Sequence, residues 1–340
     1  MKIAIIFPGY GSQFVGMAKE LYDESRLIQE YFEEASSCLD ANFIKLCFAS
    51  SDAELAKMSK AFPATFLVSV SLFKLLEQEG VKPCSFAGFN FGEWAALCAS
   101  GSFTAPDGLY LLNKFAHYYE QALADMDVIT VQVHGVKTKE LESFLTSYPD
   151  VELAITETQT QHIIGGARKQ IDQLCNQLEQ NNKKVKTKTI DSAIGLHSAA
   201  MQSVIDQFKM YLEKVDFKDP QTPVISSLNQ KEIKTGAQVK KHVLASLQEP
   251  INWHKTMKKF KDAEYIIEIG PGNYLATLAK QQYPDKIVLS VNKKADIDTI
   301  KEIFGLDKNK EQASSAKQEG AEVHSEDAQQ DIENTQDSTE

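Results

Sequence analysis

Arginine is nearly absent from this sequence. Of its 340 residues, 34 are lysine, and Arg26 and Arg168 are the two arginines. The planar guanidinium group binds a carboxylate through two parallel hydrogen bonds, whereas a lysine ammonium acts as a point charge. A site that grips a carboxylate in this bidentate way therefore has two candidate residues in the whole chain.

Cysteine is also scarce, and its five copies form no pattern. They are an odd, scattered set without a CxxC pair or a histidine at ligand spacing: Cys38, Cys47, Cys84, Cys98 and Cys175. Such a set is typical of reduced thiols and disfavours both a disulfide framework and a zinc site. We therefore expect no metal site and a cytoplasmic location. Separately, we interpret His117 and His162 as surface or edge residues.

Long uninterrupted apolar runs are missing. The opening run Ile3–Phe7 is too short for the hydrophobic region of a signal peptide. Residues 61–73 are broken by Pro63, Thr65 and two serines. We expect no membrane segment, since a spanning helix needs about 20 predominantly apolar residues.

The net charge of −11 is concentrated at the end of the chain. Residues 307–340 hold 10 acidic and 3 basic residues and few large apolar ones, which predicts a disordered acidic tail. We interpret the tail as solubilising; the alternative is that it captures a partner and the body is its scaffold. Residues 1–306 carry −4 and show no interleaving of basic and aromatic residues, which disfavours nucleic-acid binding.

Two apolar strands, each followed by a glycine-containing turn, begin the body. Ile3–Phe7 leads into Pro8-Gly9-Tyr10-Gly11, and a second short strand leads through Gly88-Phe89-Asn90-Phe91-Gly92 into a helix. The second arrangement is the strand–turn–helix context of a nucleophile elbow. Loops at the carboxyl ends of parallel strands build sites in α/β folds, so both turns are candidate site elements.

Residues 128–190 follow a different rhythm. Alternating and helical patterns succeed one another in the order βαββαβ, which is the ferredoxin-like arrangement. We therefore predict a small subdomain at 128–190, inserted into a large subdomain formed by residues 1–127 and 191–306 and followed by the tail at 307–340.

Four segments in this order resemble the malonyl-CoA:acyl-carrier-protein transacylase family. They are Phe7–Gln13 (FPGYGSQ), Gly88–Glu93 (GFNFGE), Gly195–Met201 (GLHSAAM) and Glu268–Gly272 (EIGPG). The resemblance implies an α/β fold, with an α/β-hydrolase-like large subdomain, a ferredoxin-like small one and a cleft between them. It also implies ping-pong transfer, in which an elbow serine is malonylated and passes malonate to a phosphopantetheine thiol. Acyl-CoA and phosphopantetheine-bearing acyl carrier protein are the implied ligands, with no bound cofactor.

Asn90 occupies the position of the family's nucleophilic serine. The nitrogen of a carboxamide is delocalised into its carbonyl, so no physiological base turns it into an attacking group. Asparagine does tolerate positive φ better than other non-glycine residues. We therefore expect the elbow to keep its geometry and to have lost its nucleophile.

Two phenylalanines replace polar family residues. Phe89 stands where the family has histidine, and Phe115 where an arginine grips the malonyl carboxylate. Lys114 is turned by about 100° from position 115 on a helix, so it is no substitute. As substrate-binding positions, Phe89 and Phe115 would favour an uncharged acyl chain; the alternative is that both are ordinary core residues.

Other family features survive. The resemblance places His197 at the general-base position, with histidine at a subdomain hinge as the alternative reading. It assigns the oxyanion hole to the backbone N–H groups of Tyr10 and Phe91, and an orienting backbone carbonyl for the histidine to Asn252. Glu157 stands where the family has asparagine, and we assign it no role.

Lysines form two candidate partner surfaces. Lys184, Lys186 and Lys188 alternate along the last strand of the insert, and Lys255 and Lys258 lie on a later helix. Rows of this kind are usually solvated faces, but acyl carrier proteins are acidic, and these lysines are the candidate contacts for one.

Two functions remain open. The first is a non-catalytic homologue in fatty-acid or polyketide biosynthesis that binds acyl groups or a carrier protein and has a regulatory role. The second is a residual, non-covalent acyltransferase or thioester hydrolase in which His197 and the backbone oxyanion hole act without a nucleophile.

Overall fold

A computed structural model describes residues 1–124, 126–190 and 201–306 of the chain. Residues 1–293 form one compact unit with two sheets. A second unit starts at Lys294, and its described helix is α14 (Lys294–Phe304). The helices of the first unit are α1 (Lys19–Glu24), α2 (Arg26–Leu39), α3 (Phe43–Ala49), α4 (Asp52–Leu55), α5 (Met58–Gln78), α6 (Gly92–Ala99), α7 (Ala105–Leu123), α8 (Thr138–Leu145), α9 (Arg168–Asn181), α10 (Gln202–Leu212), α11 (Gly236–Ala245), α12 (Trp253–Met257) and α13 (Tyr274–Gln282).

The larger sheet has the strand order β11-β10-β1-β2-β7-β8 within the described residues. Its strands are β1 (Ile3–Phe7), β2 (Ser85–Gly88), β7 (Val224–Ile225), β8 (Glu232–Ile233), β10 (Tyr265–Ile269) and β11 (Ile287–Val291). The first five in this order are parallel, and β8 is antiparallel to β7. β1 lies near the middle and is fully buried, as its continuous apolar run predicts.

The long helix α5 lies in the core of this unit. It is long and apolar enough to cross a membrane by length and composition, but 78% of its most apolar window is buried inside the protein. Its apolar sequence is therefore explained by packing against α7, α6 and α2.

The smaller sheet has the order β6-β3-β5-β4-β9. Its strands are β3 (Val128–His134), β4 (Val151–Thr156), β5 (Gln161–Ala167), β6 (Lys186–Ile190) and β9 (Ile251–Asn252). The first four strands pair antiparallel and, with α8 and α9, form the predicted βαββαβ arrangement. The predicted fold class is confirmed, and the two-residue strand β9 joins this sheet from a distant part of the chain by pairing with β4.

The carboxyl ends of three neighbouring strands build one edge of the larger sheet. β1 ends at Phe7, β2 at Gly88 and β10 at Ile269, and these strands are adjacent in the order β10-β1-β2. The three predicted motif turns that follow them therefore meet at this edge.

Candidate active site

The turn between β2 and α6 has the geometry of a nucleophile elbow. Asn90 lies in the left-handed region at φ +55°, as expected for a residue type that tolerates this conformation. The turn is closed by backbone hydrogen bonds from Gly92 N to Phe89 O at 2.9 Å and from Glu93 N to Asn90 O at 3.1 Å. The asparagine therefore keeps the sharp turn that presents residue 90 at the edge of the sheet.

The loop after β1 packs backbone to backbone against this elbow. Phe89 N donates to Phe7 O at 2.9 Å. A Cβ atom on Gly9 would overlap Phe89 O and lie 3.1 Å from Phe91 N, and one on Gly92 would overlap Phe7 O. Both positions therefore require glycine. Within the described residues Phe91 N–H has no acceptor; its role as an oxyanion donor stays a prediction.

The side chain of Tyr10 in this loop contacts the segment at the start of α5. Its hydroxyl donates to Ala56 O at 2.8 Å, and its ring meets Phe62 edge-on at 5.3 Å between centroids. Tyr10 therefore ties the loop to the start of α5.

One side of the elbow is filled by packed aromatic rings, which we call the elbow cluster. Its members are Phe62 of α5, Phe91 of the elbow, Phe115 and Tyr119 of α7, and Phe208 of α10. Phe62 and Phe91 stack at 3.8 Å, and Phe91 lies 5.5 Å from Phe115. Exposure is 1% for Phe62, 6% for Phe91 and 0% for Phe115. Phe115 thus has no surface open to a ligand in this conformation.

The other side of the elbow is also aromatic. Phe89 is 6% exposed and lies edge-on to Trp253 at 5.5 Å and to Tyr274 at 6.3 Å. Residue 90 therefore lies in the chain between two phenylalanines, Phe89 and Phe91, that each pack against other aromatic rings.

Neither arginine reaches this region. Arg26 pairs with Glu30 and Glu33, and Arg168 pairs with Asp127, all at exposed positions. Lys114 lies over the rings of Tyr110 and Tyr211, at 5.8 and 5.6 Å. Arg26, Arg168 and Lys114 are therefore all engaged away from Phe115.

The elbow helix is anchored by a buried carboxylate. Glu93 accepts hydrogen bonds from Ser227 N at 3.0 Å and Ser227 Oγ at 3.2 Å, and its Oε1 lies 2.8 Å from His242 Nε2. Burial is the largest effect on the pKa of His242 and lowers it, but the charge and the hydrogen bond of Glu93, together with the charge of Glu249, raise the pKa overall. The pair fixes α6 against α11 directly beneath the elbow.

Comparison with known proteins shows the family of this chain. The acyl transferase domain model matches residues 4–329. A malonyl CoA-acyl carrier protein transacylase of Bacillus subtilis is 30% identical over 287 residues, covering 82% of this chain and 71% of the relative. This chain belongs to the malonyl-CoA:acyl-carrier-protein transacylase family. Relatives in this transacylase family take malonyl-CoA and an acyl carrier protein as substrates.

Solved transacylase structures share the fold. FabD from Acinetobacter baumannii superposes with a TM-score of 0.83 at 26% identity, covering 88% of this chain and 96% of that one. A type II polyketide malonyl-transacylase crystallised with its acyl carrier protein superposes at 0.84 with 22% identity, covering 88% and 98%. The second likeness concerns the fold alone.

Two further predicted site residues of this transacylase-family chain are His197 and Asn252. His197 lies outside the described residues. Asn252 ends β9 and caps α12: its side chain accepts from Lys255 N at 3.0 Å, and its carbonyl accepts from Thr256 Oγ1 at 3.0 Å. The orienting role of the Asn252 carbonyl stays a prediction.

Glu157, which had no assigned role, is the centre of a polar network. It is 2% exposed and accepts from Tyr274 Oη at 2.6 Å, Gln132 Nε2 at 2.7 Å and Gln161 Nε2 at 2.8 Å. Burial, followed by the Glu157 charge, raises the pKa of Tyr274. Because the Tyr274 ring also contacts Phe89, the network ties the small sheet to α13 beside the elbow.

The two lysine groups lie at opposite edges of the small sheet. Lys186 and Lys188 are on the edge strand β6, whereas Lys255 and Lys258 follow β9 at the other edge. Four strand intervals of about 4.8 Å separate these edges by roughly 19 Å. Lys255 and Lys258 line a surface pocket of about 640 Å³, together with Lys137 and Lys139. The lysines are therefore two surfaces and not one.

Two residues show where sequence reasoning fell short. The surface or edge interpretation of His162 is wrong: it is fully buried, and its Nε2 lies 3.0 Å from Val136 O, because β5 is an interior strand of its sheet. Phe62 of the elbow cluster was not predicted as a site residue. In the sequence, the one notable feature of its position is that it directly precedes Pro63. The described residues contain no group of three His, Cys, Asp or Glu side chains that could hold a metal ion.

Proposed function

We propose that this chain is a non-catalytic member of the transacylase family that binds an acyl carrier protein in the cytoplasm without forming an acyl-enzyme intermediate. The observation that carries the proposal is Asn90 at φ +55°. The elbow is preserved, but the atom that would attack a thioester is missing.

The surroundings of Asn90 support the same function. Malonate carries a carboxylate, and an unpaired charge is costly to bury. Both arginines are engaged in exposed ion pairs elsewhere, and Phe115 is buried among aromatic rings. A protein that kept malonyl transfer would need a cation at this place.

Carrier binding is supported by the fold and by charge. A structural relative was crystallised with its acyl carrier protein, and the exposed lysines Lys184, Lys186 and Lys188 offer positive charge to an acidic partner. The ligands would be the carrier's phosphopantetheine arm and acyl-CoA. A regulatory role, in which the protein sequesters carrier from active enzymes, follows from binding without turnover.

Intact-mass spectrometry tests the absence of catalysis. The wild type is mixed with malonyl-CoA and holo acyl carrier protein beside Asn90→Ser, and binding of the same carrier is measured by calorimetry. We expect no malonyl adduct on the wild type, no malonyl transfer above the rate without protein, and measurable carrier binding. An adduct or rapid transfer would refute the non-catalytic proposal, and hydrolysis of malonyl-CoA would favour the non-covalent thioester hydrolase instead.

A further inference from the structure

We infer that the chamber beside the elbow, where an acyl group would enter, is closed by Phe62, Phe91 and Phe115, so that the site takes the free thiol end of a carrier's phosphopantetheine and excludes acylated carriers. This inference rests on the proposed function and names the form of the carrier that is bound.

The first support is the position of the rings. Phe91 follows Asn90 directly, so its side chain leaves the elbow next to the residue that replaces the nucleophile. Phe62 stacks on it at 3.8 Å with 23° between the ring planes. Phe115 lies 5.5 Å from Phe91 and 6.3 Å from Phe62. The three rings form one contiguous body against residue 90.

The second support is that this body is closed from behind. Phe115 also packs on Tyr119 at 5.6 Å and on Phe208 at 5.5 Å, and Tyr10 covers the edge of Phe62. Because protein interiors are close-packed, an additional chain fits between these rings only if one of them moves. Each of Phe62, Phe91 and Phe115 is at most 6% exposed.

The third support is chemical. The side chains of Phe62, Phe91 and Phe115 offer no hydrogen-bond donor and no charge, so a dicarboxylic half-ester gains no polar partner from them. The elbow backbone is different, because Phe91 N–H has no acceptor among the described residues. A thiol or a short polar group at residue 90 meets this donor without entering the chamber.

A disulfide-tethered chain tests the chamber without needing carrier or catalysis. Asn90→Cys is treated with methyl or hexyl methanethiosulfonate; the cysteine thiolate forms a mixed disulfide with the alkylthio group, and methanesulfinate leaves. Labelling at position 90 is confirmed by peptide mass in a background lacking the exposed Cys38 and Cys84. The melting temperature is then compared between the two labels.

We expect the hexyl label to add no stability over methyl in Asn90→Cys, because the chain must stay outside. In Asn90→Cys/Phe62→Ala the hexyl chain fills the vacated volume and restores several degrees of the lost melting temperature. The matched control is Asn90→Cys/Phe73→Ala, since Phe73 is equally buried but packs on Phe7 and Phe86; hexyl should restore nothing there. Phe62→Leu serves if the alanine variant does not fold.

The inference is overturned if hexyl already stabilises Asn90→Cys, or if it restores Phe62→Ala no more than Phe73→Ala. Calorimetry with holo and hexanoyl carrier then tests the ligand class: we expect holo carrier to bind the wild type at least tenfold more tightly, and equal affinities would refute the discrimination. Binding of neither carrier would refute the proposed function, while the tethered-chain result decides separately whether the chamber is closed.

Discussion

At the scale of single residues, Glu268 makes stability depend on pH. It is fully buried, one residue before the end of β10, and accepts hydrogen bonds from Leu275 N at 3.2 Å and Ala276 N at 2.7 Å, in the first turn of α13. Burial raises its pKa from 4.5 to about 7, and the two backbone donors offset part of the effect. Between these values the folded state holds a proton that the unfolded state has released, so stability falls as pH rises.

We therefore expect wild-type stability to lose about 3 kcal/mol from this group between pH 4.5 and 7. Glu268→Gln removes the titration and keeps an acceptor for the helix. Urea unfolding at several pH values should give a wild-type curve that falls relative to Glu268→Gln across this window. The control Glu264→Gln, at an exposed position on the preceding turn, should follow the wild type; a Glu268→Gln curve parallel to the wild type would contradict the assignment.

The same scale shows what sequence can predict of the site. Asn90 and its positive φ were predictable, because the elbow is a local strand–turn–helix pattern and asparagine has a known conformational tolerance. Phe62 and Glu157 were not. The stacking of Phe62 on Phe91 joins residues far apart in the chain, and the carboxylate of Glu157 is stabilised by a tyrosine 117 positions away. Side-chain packing of this kind depends on tertiary structure.

At the scale of elements, the register of β6 indicates which lysine surface serves a carrier. Lys188 pairs with Gln132, and Lys186 with His134; directly paired residues of antiparallel strands share a face. Gln132 belongs to the network of Glu157 and Tyr274, beside Phe89. The β6 lysines therefore lie on the face of the small sheet that looks toward the elbow.

We expect Lys184→Gln/Lys186→Gln/Lys188→Gln to weaken holo-carrier binding about tenfold, which corresponds to about 1.4 kcal/mol, with most of the effect lost at high salt. The matched variant is Lys255→Gln/Lys258→Gln at the opposite edge, which should change the affinity less than about twofold because rim charges remote from a contact are screened. Titration calorimetry at two salt concentrations measures both. A larger loss in the second variant would assign the carrier to the β9 edge.

Helices and strands with their own periodicity were predictable from the sequence, whereas two short strands that depend on distant partners were not. The βαββαβ order was predictable because each piece has its own periodicity, and the strands observed follow it. Strands β8 and β9, of two residues each, were not predicted. Their pairing depends on partners elsewhere in the chain, since β9 extends the small sheet although it lies between β8 and β10 of the large sheet in sequence. The sequence around residues 251–252 does not indicate that this segment pairs with β4.

At the scale of the whole molecule, the division of charge has a testable consequence for carrier binding. Removal of residues 307–340 changes the net charge from −11 to −4, and the partner proposed here is acidic. Like charges slow association at low ionic strength, and salt screens them over about 10 Å at 0.1 M.

If the body binds the carrier, a chain ending at Leu306 should bind holo carrier at least as well as the full chain. Its association rate should be a few-fold faster at low salt and equal at about 1 M salt. The full chain with the tail acids changed to their amides is the matched control and should behave like the truncated one. Stopped-flow association at several salt concentrations measures the rates. Loss of carrier capture on truncation would instead make the tail the binding element and the transacylase fold its scaffold.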